Sequence, residues 1–194
     1  MADAVPEAPA TPRPARYDAT ARGLHWITAV LVVATLFAGI VMTGWLGGYH
    51  ALLRVHEPLG AAVFVLAVAR LANRALRRGP AFPAAMPRAE RAVAAASECL
   101  MYGLLLVQPL AGWGMESAAG IPVLLPGGLR LPGLLPQDAG LYAALHTVHV
   151  VCGWTLFAVF VAHMSGVLVH ALVVRDGLLR RMTLGRGGPR APRG

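Results

Sequence analysis

Hydrophobic residues fill four long stretches of the chain, and the charged positions fall almost wholly between them. No Asp, Glu, Lys or Arg occurs between Arg22 and Arg54, or between Asp138 and Arg175. A helix needs about 20 apolar residues to cross the hydrocarbon core of a bilayer, and these stretches exceed that. An open sheet cannot satisfy its backbone groups in lipid, so the pattern predicts an all-α integral membrane four-helix bundle. The predicted spans run about 24–46, 55–76, 92–115 and 142–174. Arg70 and Arg74 fall in the last turns of the second span. Pro109 predicts a bend in the third, and the fourth is long enough to tilt or to project beyond the membrane.

The flanks set the domain limits. Residues 1–15 are rich in Ala and Pro without apolar periodicity, and read as a disordered N-terminal tail. They lack the apolar core and cleavage site of a signal peptide, so the first span is expected to direct insertion and to be retained. Residues 16–182 form the membrane domain, and 183–194 a basic C-terminal tail. Fifteen of the seventeen basic residues lie in three segments: Arg13, Arg16 and Arg22; Arg70, Arg74, Arg77, Arg78, Arg88 and Arg91; and Arg175, Arg180, Arg181, Arg186, Arg190 and Arg193. Arg54 and Arg130 alone occupy the other two connections. The positive-inside rule then puts both termini in the cytoplasm and the 117–141 connection outside, resting on the membrane interface.

Composition agrees and removes alternatives. With 57% hydrophobic and 13% charged residues, the chain carries too little charge to cover a soluble domain. A net charge of +8 would suggest nucleic acid in a soluble protein, but the basic residues are all Arg and gather at span ends. Membrane orientation explains that placement, and nucleic-acid binding is not expected. Cys99 and Cys152 lie inside apolar stretches, form no metal-type motif and fall near opposite membrane faces. A disulfide between them is not expected.

Seven histidines remain: His25, His50, His56, His146, His149, His163 and His170. A lone histidine in a membrane protein is most simply an interfacial or packing residue, so convergence decides. His149 and His163 are 14 residues apart, which returns them to one helical face with a rise of about 21 Å. One metal ion cannot use both, whereas two stacked cofactors can. Depth supplies each with a partner. His25 and His163 lie toward the cytoplasmic face, and His56 and His149 toward the outer face. Gly60 and Gly153 each follow a histidine of the outer pair by one turn, where a flat cofactor needs a missing side chain. Gly39, 14 residues beyond His25, faces the bundle at the depth of the outer pair. Helix packing is the alternative use of such glycines. Arg70, 14 residues beyond His56, is level with the inner pair, where an arginine wants an anion or snorkels to the interface. His170 follows His163 by seven residues on the same face, while His50 and His146 read as solvated.

These motifs resemble the bacterial cytochrome b561 family. The resemblance is carried by Leu24-His25-Trp26, by His56 with Pro58-Leu59-Gly60 and Arg70-Leu71, and by Pro109-Leu110-Ala111-Gly112-Trp113. The series His149, His163 and His170 follows, and then Arg175-Asp176-Gly177-Leu178-Leu179-Arg180-Arg181-Met182, so that roughly residues 16–182 are covered. The cytochrome b subunits of formate dehydrogenases and nickel-iron hydrogenases look like distant relatives. The resemblance implies two b-type haems, each between two histidines: His25 with His163, and His56 with His149. It also implies a bacterial inner-membrane location and ubiquinone or another quinone as redox partner. His170 is then a candidate for a quinone pocket or a propionate contact. One departure is visible, since Glu98 stands where family members often carry a histidine.

Three functions follow as expectations. The first is an oxidoreductase passing electrons from an outer-face donor to quinone; superoxide and a partner redox protein are the candidate donors, and Arg54 and Arg130 would attract a small anion. The second is an electron-relay and membrane-anchor subunit of a larger dehydrogenase or hydrogenase. The third is a histidine-based metal or proton transporter, which predicts a colourless protein.

Overall fold

The computed structural model describes residues 16–77, 79–83 and 86–183. The N-terminal tail to residue 15 and the basic tail beyond residue 183 lie outside the described residues, as does Arg78. Among the described residues, four α-helices make the fold: α1 (Ala19–Gly44), α2 (Tyr49–Leu76), α3 (Arg88–Ala119) and α4 (Ala139–Leu168). A π-helical turn over Val169–Val174 prolongs α4. All four are long and apolar enough to cross a membrane. α2 begins at Tyr49, earlier than expected, because only one short turn over Leu46–Gly48 separates it from α1. α3 runs unbroken through Pro109.

The helix ends follow from local chemistry. Asp18 and Asp138 cap α1 and α4, their carboxylates accepting from the Ala21 and Leu141 amides at 2.9 and 2.7 Å. Such caps satisfy backbone donors that a helix start leaves free. α3 stops at Gly120, whose φ of 74° is left-handed and whose missing Cβ leaves room for the Gln137 side chain. Ser117 then ties the long connection down, its hydroxyl accepting from the Leu134 and Leu135 amides at 2.7 and 2.9 Å. Trp113 adds a bond from its indole nitrogen to the Pro132 carbonyl at 3.0 Å.

Packing joins α1 to α2 and α3 to α4 along their lengths, with α2 against α3 between the pairs. Val32, Val63, Ala67, Leu104, Leu105 and Leu156 meet as a buried apolar core. Most other large apolar side chains point outward; Phe37 is 70% exposed and Val173 74%. That is the inside-out distribution of a lipid-facing bundle, where hydrocarbon replaces water at the surface.

The two ends of the bundle differ. At one, Arg16 bonds to Thr183, the Tyr17 amide to the Arg181 carbonyl, and the Trp26 indole to the Met182 carbonyl. Arg181 also reaches the Ala81 carbonyl, so the α2–α3 connection meets both described ends of the chain here. We call this the basic end. The other, the loop end, holds the α1–α2 turn and the 120–138 connection.

Candidate cofactor sites

The loop-end site is a cavity of about 370 Å³ lined by all four helices. Its volume suits a bound cofactor, for which roughly 300–1,000 Å³ is usual. His56 from α2 and His149 from α4 both line it, with ring centroids 6.1 Å apart and planes at 75°. Gly39, Gly60 and Gly153 line it too.

Both rings are oriented by backbone. His56 Nδ1 lies 3.1 Å from the Thr35 carbonyl on α1, and His149 Nδ1 lies 3.1 Å from the Gln108 carbonyl on α3. A carbonyl only accepts, so each Nδ1 carries the proton and each Nε2 keeps its lone pair. This is how metal-ligating histidines are commonly held. The Gln108 side-chain nitrogen donates to His149 Nε2 at 3.2 Å, and its amide oxygen is buried without a hydrogen-bond partner. Two imidazoles held on one metal ion by bonds of about 2 Å could have ring centroids roughly 6.3 Å apart. The observed separation fits a bis-histidine metal centre, and the apolar, glycine-lined walls fit a macrocycle around it.

The three glycines occupy different surroundings. A Cβ on Gly60 would meet nothing within 4 Å, so its missing side chain adds to open cavity. On Gly153 it would lie 3.2 Å from the Gln108 side-chain nitrogen, and on Gly39 3.3 Å from His56 Cε1. Gly39 therefore abuts the ligand candidate itself. His146 is exposed, lines the cavity and stacks on Tyr142 at 6.0 Å. His50 is exposed and meets Tyr49 edge-on.

At the basic end, Arg70 donates to His25 Nδ1 at 3.2 Å, and its guanidinium lies 5.3 Å from the centre of the Tyr102 ring. His163 is close enough to interact electrostatically with both His25 and Arg70. The structure thus gathers His25, Arg70 and His163 from α1, α2 and α4. Arg74, one turn beyond Arg70, pairs with Glu98. His170 belongs to a separate group, its Nε2 2.8 Å from Glu90 and its Nδ1 2.8 Å from Asp176. Burial raises the Asp176 carboxyl, but bonds from the Leu178 amide and His170 outweigh it and hold the group below its ordinary value.

Sequence reasoning missed the Thr35 and Gln108 carbonyls, because a backbone acceptor has no letter of its own. It also missed Gly112, although that glycine stands in the Pro109–Trp113 motif; a Cβ there would lie 3.0 Å from His149 Cε1.

Fold and site define a class: a helical membrane protein whose loop-end cavity sets two histidines from different helices face to face. Residues 16–185 match the prokaryotic cytochrome b561 family, and the chain belongs to it. It is a multi-pass bacterial inner-membrane protein of electron transfer, in a family that carries b-type haem. It is similar to cytochrome b561 homolog 2 of Escherichia coli (strain K12), with 27% identity over 180 residues, covering 89% of this chain and 93% of that protein.

Proposed function

We propose that the chain is a transmembrane dihaem b-type cytochrome that moves electrons between an outer-face donor and the membrane quinone pool. The observation that carries this reading is the His56–His149 pair, preset by the Thr35 and Gln108 carbonyls across a cavity of suitable size. In the proposed assignment these two residues hold one haem, and His25 with His163 hold the other. Bound haem supplies one-electron redox chemistry. The chain's own residues do the rest. The histidines orient and ligate, Gly60 leaves space, and Arg70 offers a cation to a propionate. Giving up its bond to His25 Nδ1 would free Arg70 for that carboxylate.

The arginine asymmetry supports a cytoplasmic basic end and an external loop end. Arg54 and Arg130 are exposed and would draw a small anionic donor, with superoxide the candidate. Quinone would enter from lipid, and the His170–Glu90–Asp176 group is the titratable set proposed to serve it at the basic end.

The test is purification without partners, followed by haem quantification, exposure to superoxide and reoxidation by a ubiquinone analogue. Two haems per chain, reduced by superoxide and reoxidised by quinone, are expected. One haem or none would overturn the dihaem assignment. Haems that superoxide leaves oxidised, but that a co-purifying dehydrogenase reduces, would establish the relay-subunit reading instead.

A further inference from the structure

The two loop-end histidines are held by the same local device, built twice. In α1, Thr35 offers its carbonyl to His56 Nδ1, and Gly39 stands four residues later. In α3, Gln108 offers its carbonyl to His149 Nδ1, and Gly112 stands four residues later. In an α-helix the carbonyl of residue i bonds to the amide of residue i+4, and the i+4 side chain borders that oxygen. A carbonyl has a second lone pair, usable only where that border is open. Glycine opens it. The Cε1 atom of each imidazole fills the place a side chain would take, 3.3 Å from an ideal Cβ on Gly39 and 3.0 Å from one on Gly112.

We infer that Gly39 and Gly112 are positioning residues for the loop-end haem, acting through the imidazoles of His56 and His149 rather than by making room for the porphyrin. This rests on the assignment of those histidines as axial ligands. Each carbonyl bond draws the Nδ1 proton, makes the imidazole a stronger donor and so favours ferric iron. The carbonyl bonds that the two glycines leave accessible orient the rings, whose planes stand at 75°. Gly60, open on the cavity side, is left with the porphyrin-space role.

The variants are Gly39→Ala and Gly112→Ala, with Gly103→Ala as control because a Cβ there meets nothing within 4 Å. Redox titration and low-temperature EPR of the ferric low-spin signals are the readouts. Expected are a raised midpoint potential and a shifted largest g value for the loop-end haem. The basic-end haem and the control should be unchanged. Gly39→Ala, the milder contact, keeps the test usable if Gly112→Ala does not fold. Unchanged potential and g values would overturn the inference. So would loss of the loop-end haem without any shifted species, which would return these glycines to porphyrin space. Failure of the underlying assignment looks different: His56→Ala and His149→Ala would then retain both haems.

Discussion

Individual side chains divide into those a sequence can place and those it cannot. The pairing of His56 with His149 was legible, because helical rise and span direction together fix depth, and these two meet at 6.1 Å. On the proposed assignment, replacing either by Ala should remove one haem, and replacing His25 or His163 the other. His50→Ala and His146→Ala should retain both, as pyridine-haemochrome quantification would check. Arg70 was placed level with the inner pair, but its hydrogen bond to His25 and its seat on Tyr102 depend on rotamers that no spacing encodes. A charge-assisted hydrogen bond contributes about 1.5–3 kcal/mol, so Arg70→Leu should weaken retention of the basic-end haem by roughly tenfold or more. Competition with a haem-scavenging protein would measure it, and wild-type retention would remove Arg70 from the site.

At the level of helices, hydropathy alone separated four spans, since lipid demands an unbroken apolar surface from each. What hydropathy could not reach was how they end. α1 and α4 begin on aspartate caps, and α4 finishes in a π-helical turn closed by the Arg175 amide on the His170 carbonyl at 2.8 Å. Asp138→Ala should cost about 1 kcal/mol of stability, seen as a lower melting temperature in detergent. The segment after α4 carries a pH dependence. The Asp176 carboxyl sits below its ordinary value in the folded chain, so its contribution is present above the unfolded value and lost as pH falls through the folded one. Below about pH 4 the Leu178 amide should therefore lose hydrogen-exchange protection. Asp176→Asn should show weaker protection already at neutral pH, and equal protection at both pH values would contradict this account.

Seen whole, the bundle places its two candidate sites at opposite ends, and the buried core begins at the wall of the loop-end cavity, which Val32, Val63, Leu105 and Leu156 also line. Orientation is the first whole-molecule prediction: reporter fusions at residue 183 should report a cytoplasmic location, and a periplasmic signal would reverse donor and acceptor sides. The core has a separate consequence. Val32, Val63, Ala67, Leu104, Leu105 and Leu156 offer no hydrogen-bonding side chain, and Ala67 has no accessible surface. Thr28, buried on α1 one turn before Val32, spends its hydroxyl on the Leu24 carbonyl at 2.6 Å. A file of water cannot thread such a layer, because each molecule needs two to four polar partners. Electrons tunnel through hydrocarbon; hydronium does not pass. On the proposed dihaem assignment, the middle of this protein would be an insulator for one carrier and a conductor for the other. Any turnover that delivers electrons across it leaves protons behind, and charge separates across the membrane. Ala67→Asp would put a carboxylate in that layer, and proteoliposomes bearing it should leak protons where the wild type holds a gradient.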